Sequence, residues 1–386
     1  MSFRSLSALP PVFSSLVRTT SIVSRIPPLT SRFLHSRKRA PVIPHTSIQI
    51  FREVPEFRIW RRKQLLDHRT IGLVPTMGAL HEGHLSLIRM AAAENHNVVV
   101  SVYVNPTQFG VHEDLDSYPK TWEKDCEMLK RLDKEIAGDG GNLGKVAAVF
   151  APTTDVMYPS GPPSQEVNGK GSFVTITPAG ELLEGASRPT FFRGVATVCM
   201  KLFNIVTPEK VYFGQKDVQQ TVVIRKMVKD FCLGTDVVVG ATQREADGLA
   251  LSSRNVYLGT RRRKIATVLS KALRVAEAAY GRGCRSRDEI LGPANELTKL
   301  LLREQYQLEP HERVKFEVDY LSLADLDTME ELDEVDSTRG AILSGAVKML
   351  PVESPQPGED LGLSDGPAVR LIDNIILKSK QMASSI

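Results

Sequence analysis

The sequence predicts an α/β fold: a doubly wound, Rossmann-like parallel sheet in an N-terminal domain, then a smaller α+β C-terminal domain. Three observations carry this. Strand, helix and strand signals succeed one another in about 35 residues from Ile71, the spacing of a βαβ unit with a right-handed crossover. Residues 97–104 form a β-branched run too continuous for a sheet with one wet face, so burial on both faces is expected. After Arg254 the pattern changes to long helical stretches, then a strand and late apolar runs.

In chain order, residues 71–75 are a short apolar run ending at Pro75, and residues 84–95 carry apolar side chains at helical spacing. Residues 146–150 and 210–213 read as further strands, and 195–205 and 218–230 as helices. Two Gly-, Pro- and Asn-rich segments, 138–145 and 161–171, are expected as surface loops. Gly144-Lys145 is followed by Val146, so the first of them fails the phosphate-loop pattern. Helices at 261–281 and 286–304 and a strand at 314–321 complete the reading, with a domain boundary near 240–243. This gives an extension over 1–48, the parallel-sheet domain over 49–241 and the smaller domain over 242–386.

The chain has 386 residues, 42% hydrophobic and 24% charged, which excludes collagen-like, disulfide-scaffold and wholly disordered classes. Its net charge of +4 is unevenly placed. Eight of the 49 basic residues lie in 1–52, before the first acid, Glu53; the remainder carries 41 bases against 45 acids. A body of net −4 with 6% aromatic residues lacks the electrostatic footprint of a nucleic-acid binder. No stretch approaches the roughly 18 consecutive apolar residues of a membrane-spanning helix. The four cysteines, without C-x-x-C pairs, are expected as buried reduced thiols. Residues 1–48 are acid-free, Ser-rich and dotted with arginines, the composition of a mitochondrial transit peptide. A disordered basic extension on a cytoplasmic protein is the alternative.

Three segments carry candidate chemistry. In Pro75-Thr76-Met77-Gly78-Ala79-Leu80-His81-Glu82-Gly83-His84 a strand end passes through glycines into a helix start, where backbone N–H groups and the helix dipole favour an anion. Gly83 between the two histidines admits close approach of a ligand. A zinc reading fails because the second histidine comes one residue early for H-E-x-x-H. In Gly214-Gln215-Lys216-Asp217-Val218-Gln219-Gln220 a second strand opens a helix, placing Lys216 and Asp217 at a strand's carboxyl end, with Gln220 on the helical face of Lys216. In Leu251-Ser252-Ser253-Arg254-Asn255 two hydroxyls and a guanidinium can grip a polyphosphate. There is no nucleophile elbow and no cysteine in a motif, so covalent catalysis by the protein is not expected.

With these segments in this order, and with Val104-Asn105-Pro106-Thr107-Gln108-Phe109, Asp116-Ser117-Tyr118-Pro119 and Leu183-Glu184-Gly185-Ala186-Ser187-Arg188-Pro189 between them, residues 50–380 resemble the pantothenate synthetase (pantoate–β-alanine ligase) family. That family belongs to the H-x-G-H nucleotidyltransferases. The resemblance implies a homodimeric, AMP-forming ligase that uses ATP and Mg²⁺ to join pantoate to β-alanine through a pantoyl adenylate. It implies an ATP site of Met77, Gly78, Ala79, Leu80, His81, Glu82, Gly83, His84, Gly214, Gln215, Lys216, Asp217, Gln243, Leu251, Ser252, Ser253 and Arg254. Within it His84 is the proton donor, His81 a phosphate contact, Lys216 and Arg254 the charge-offsetting cations, and Asp217 the metal ligand. Gln108 and Gln220 bind pantoate, Tyr118 closes the pocket, and the C-terminal domain serves as a lid. Gln215 stands where Glu is usual, Thr190-Phe191 replaces Gly-His, and segments near 135–146 and 351–366 look inserted. The nearest enzymatic rival is a cytidylyltransferase-like H-x-G-H enzyme, against which Gln108 and Gln220 argue.

Overall fold

The computed structural model describes residues 41–379 except 111–114. The first half alternates β1 (Gln49–Phe51), α1 (Val54–Leu66), β2 (Ile71–Thr76), α2 (Glu82–Glu94), β3 (Asn97–Val102), α3 (Trp122–Ala137) and β4 (Lys145–Phe150). Two single-turn helices, α4 (Thr154–Met157) and α5 (Glu184–Ser187), precede α6 (Phe191–Val206), β5 (Lys210–Gly214), α7 (Val218–Asp230) and β6 (Asp236–Gly240). These six strands form one parallel sheet in the order β1-β4-β3-β2-β5-β6. The chain winds outward from β2 in one direction through β3 and β4, and in the other through β5 and β6. The switch point therefore lies between β2 and β5, and the crevice at their carboxyl ends is where such sheets bind ligands.

Local sequence explains this geometry. β2 and β3 are buried on both faces along almost their whole length, as their continuous apolar runs require. β2 pairs with β5 only through Gly72 and Leu73, while its pairing with β3 continues to Thr76. Beyond Leu73 the two central strands thus part. Pro75, which has no N–H to give, sits in that unpaired stretch and leaves the β2–β5 ladder intact.

From Gly259 the chain forms α8 (Gly259–Ile265), α9 (Val268–Gly281) and α10 (Arg287–Tyr306), then the antiparallel sheet β7 (Phe316–Ala324), β8 (Ala341–Met349) and β9 (Val369–Leu377). This is the smaller α+β half that the pattern change foretold. Both halves belong to one compact unit.

Several expectations need correction. The helix expected over 261–281 is two helices, broken at 266–267. The strand expected at 314–321 lies at 316–324, and β6, α1 and α3 were not foreseen. The extension does not reach 48: Ile43 and Ile48 are fully buried in the apolar cluster shared by α2, α3, β3 and β4, and Val42 bridges Gln49. Residues 1–40 lie outside the described residues. Of the four free cysteines Cys199 is buried, its thiol pushed up to about 12 by desolvation, but Cys126 and Cys284 are half-buried and Cys232 is exposed. Among the described residues no helix is long and apolar enough to cross a membrane.

Candidate active site

The loop leaving β2 turns sharply, with Gly78 at φ +83° and Ala79 at φ +49°. A buried carboxylate from α3 holds it there: Asp125 accepts the N–H groups of Ala79 at 3.0 Å and Leu80 at 2.8 Å. The turn delivers His81 to the N-cap of α2, where its Nδ1 accepts the Gly83 N–H at 3.2 Å. His84 Nδ1 in turn accepts the His81 N–H at 3.3 Å. A Cβ at position 83 would lie 2.9 Å from the His81 ring, so Gly83 makes room for that imidazole.

The two rings lie against each other, tilted by 37°, with centroids 4.1 Å apart. Burial first, and then the Lys216 ammonium, lowers His81 to about 4, although Asp217 pulls the other way. Burial, His81 and Lys216 together lower His84 to about 3. Both imidazoles are therefore neutral near pH 7. Since each Nδ1 is an acceptor, each Nε2 carries the proton and is the donor left for a ligand.

At the end of β5, Gly214 leads into a 3-10 turn over Gln215–Asp217 that continues as α7. Lys216 Nζ donates to Asp217 Oδ1 at 3.1 Å. The third segment meets these two from across the crevice. Ser252 Oγ accepts the Arg254 N–H at 3.2 Å, Tyr118 Oη lies 3.0 Å from Ser253 Oγ, and the Arg254 guanidinium sits near the Phe109 and Tyr118 rings.

A buried polar network orients Gln108. Asn105, 1% exposed, donates from Nδ2 to Gln108 Oε1 at 2.9 Å, while its Oδ1 accepts Tyr158 Oη at 2.8 Å and Thr107 Oγ1 at 3.0 Å. With its oxygen engaged, Gln108 offers its NH₂. Arg188 stacks 3.8 Å over Phe191 and donates to the Gln108 carbonyl at 2.9 Å. A Cβ at Gly194 would lie 2.1 Å from the Thr107 carbonyl oxygen, so that glycine is what lets α6 lie against this turn.

A cavity of about 220 Å³ opens between these segments. Met77, His81, Gly83 and His84 line it from β2 and α2; Gly214, Lys216, Asp217 and Gln220 from β5 and α7; Gln243 and residues 251–254 from the far side; and Gln108 and Tyr118 from the remaining wall. A larger cavity of about 710 Å³, between α7 and the antiparallel sheet, shares Lys216, Asp217, Gln220, Ser252 and Arg254 with it. Five expected ATP-site residues do not line the smaller cavity. Gly78, Ala79 and Leu80 shape the loop, and Leu80 points into the core. Glu82 pairs with Arg89 on the surface, and Gln215 donates to Asn374 Oδ1 at 3.2 Å. Among the described residues no three metal-ligating side chains cluster. Asp217 offers a lone carboxylate, which suits Mg²⁺ arriving with nucleotide phosphates but not a protein-built cage.

The model of the pantoate–β-alanine ligase family matches residues 49–376. This chain belongs to the pantoate–β-alanine ligase family. A pantothenate synthetase of Roseiflexus castenholzii is 42% identical over 332 residues, covering 86% of this chain and 100% of that protein. The pantoate–β-alanine ligase of Saccharomyces cerevisiae is 41% identical, with the same coverage. Among solved structures, pantothenate synthetase from Thermus thermophilus superposes with a TM-score of 0.67 at 34% identity, covering 86% of this chain and 100% of that one. The pantoate–β-alanine ligase of Francisella tularensis, complexed with beta-gamma ATP and β-alanine, superposes with a TM-score of 0.60 at 29% identity, covering 85% and 97%. In this pantoate–β-alanine ligase family member the supporting residues Asp125, Asn105, Tyr158 and Asn374 were given no role by sequence reasoning. Asn105 stood inside a quoted motif, and Asp373-Asn374 is a polar pair within an apolar strand. Asp125 has no distinguishing signal, since an acid in a helix's first turn is ordinary.

Proposed function

We propose that this chain is a pantothenate synthetase, which condenses pantoate with β-alanine at the expense of ATP and releases AMP and pyrophosphate. One observation carries the reading: the neutral histidine pair, Lys216, residues 252–254 and the Gln108 and Gln220 amides all face one small cavity. The donors and cations suit a polyphosphate. The amides suit a small hydroxy acid.

In the first step a pantoate carboxylate oxygen attacks the α-phosphorus and pyrophosphate leaves. The His81 and His84 Nε2–H groups, Lys216 and Arg254 meet the charge that builds on the phosphate oxygens, and they are already in place before reaction. Asp217 would help to hold Mg²⁺, which would supply further charge neutralisation when bound. In the second step the β-alanine amine attacks the acyl carbon and AMP leaves, so the protein contributes mainly position and charge.

The test is AMP release by the purified chain from ATP, Mg²⁺, pantoate and β-alanine. AMP formation that requires both organic substrates is expected; ADP release, or AMP without β-alanine dependence, overturns the reading. Lys216→Ala should lower adenylate formation about 10²–10³-fold with the fold retained. The same reading includes a homodimer, for which light scattering should return twice the chain mass.

A further inference from the structure

We propose that Asn374, on β9, is a positioning residue for adenylate formation: it fixes the main chain at Gln215 and Lys216 and so sets where the Lys216 ammonium meets the nucleotide. This rests on the reading above that Lys216 faces the phosphates.

Asn374 is 1% exposed and lies 158 residues from Lys216, in the antiparallel sheet. Its Nδ2 donates to two successive carbonyls, Gln215 O at 2.7 Å and Lys216 O at 2.9 Å, and its Oδ1 accepts Gln215 Nε2 at 3.2 Å. Every polar atom of this amide is committed to the 3-10 turn, with no solvent to compete. Two adjacent carbonyls on one rigid amide leave the intervening peptide planes little rotation, and the lysine stem starts from that point. The anchor is itself anchored. Asp373 Oδ1 accepts the Asn374 N–H at 2.8 Å. The same buried carboxylate takes both terminal nitrogens of Arg244, at 2.6 and 2.8 Å. Arg244 directly follows Gln243, which lines the cavity. Neighbouring residues of one strand thus hold two segments of the nucleotide wall in mutual register. The antiparallel sheet builds the site rather than only covering it.

The experiment measures pantoate-dependent exchange of labelled pyrophosphate into ATP with the full chain, in Asn374→Ala, in Asn374→Asp, and in each combined with Lys216→Ala. Asp preserves the shape but turns an oxygen towards the two carbonyls. Each single variant should lose about 10² in kcat/KM for ATP, the scale of an ångström-sized misplacement. In the Lys216→Ala background neither should cause further loss, because the group being positioned is gone. Wild-type exchange in folded variants overturns the proposal, as does an undiminished loss in the Lys216→Ala background, since a general structural effect persists there. Unfolding of both single variants, read by circular dichroism, also overturns it, by making the residue structural. Absence of pantoate-dependent exchange in the wild type instead removes the reading of the site itself.

Discussion

The Asp125 carboxylate and the Leu80 N–H meet at 2.8 Å, 45 residues apart in sequence, and the same carboxylate takes the Ala79 N–H at 3.0 Å. The bond is buried, and the loop it holds runs through positive φ at Gly78 and Ala79, a conformation disfavoured for alanine. Asp125 also accepts the Thr121 hydroxyl at 3.1 Å. Asp125→Ala leaves these donors without a buried partner and should lower stability by about 3 kcal/mol, measured by urea unfolding. Adenylate formation should fall as well, because the loop sets the entry of His81. Unchanged stability would mean that the loop holds its own shape.

The histidine pair gives a pH prediction. Unfolded, His81 takes up a proton near 6.5; folded, burial and Lys216 lower it to about 4. Between these values the unfolded chain binds more protons, so stability falls as pH drops from 6.5 towards 4 and is unaffected above that window. His81→Asn keeps an N-cap acceptor but does not titrate. Its loss of unfolding free energy on going from pH 6.5 to 4.5 should be shallower than the wild type's, by up to about 1.4 kcal/mol per pH unit. Parallel curves would show that His81 ionises normally. For the same reason kcat/KM for ATP should show no histidine ionisation near pH 6.5, since both rings are neutral on either side of it.

His81 and His84, and Lys216 and Asp217, were legible because each pair sits where a strand hands over to a helix, so the segments announce themselves by pattern. Their supports were not, because Asp125, Asn105 and Asn374 act across separations that no local period encodes. Burial of charge is equally non-local. Arg262, inside the basic run Arg261-Arg262-Arg263-Lys264, is fully buried, its guanidinium held by carbonyls of Leu258, Leu350 and Pro367. The helical period runs unbroken through 266–267, so the break between α8 and α9 is a product of packing. The short β6 escaped the reading although Val237-Val238-Val239 is a β-branched run; its three valines are half-buried at a sheet edge.

Asn105 gives a prediction that separates the substrates. Asn105→Ala removes the donor to Gln108 Oε1 and the oxygen that accepts the Tyr158 and Thr107 hydroxyls, leaving these two only each other, which should reduce stability by about 1–3 kcal/mol. With Gln108 free to rotate, KM for pantoate should rise roughly tenfold, the equivalent of about 1.4 kcal/mol, while KM for ATP stays near wild type. Steady-state kinetics with each substrate varied in turn decides this. A rise in KM for ATP alone would move Gln108 out of the pantoate subsite.

The last prediction concerns where the packed body begins, and it constrains the proposed targeting segment. Ile43 and Ile48 are 1% and 0% exposed within the core cluster that α2, α3, β3 and β4 share, so a chain starting at 49 loses two core side chains that one starting at 41 retains. Burying an isoleucine is worth about 1.5–3 kcal/mol, so the shorter chain should be less stable by about 3–6 kcal/mol in urea. We propose that residues 1–40, acid-free and carrying Arg4, Arg18, Arg25, Arg32, Arg37, Lys38 and Arg39, direct the protein to mitochondria. Fused to a fluorescent protein, they should label mitochondria, and replacing Arg18 and Arg25 with Glu should disperse the signal. A diffuse signal from the unmodified fusion would defeat the targeting proposal, whereas equal stability of the two truncated chains would defeat the assignment of Ile43 and Ile48 to the folded body.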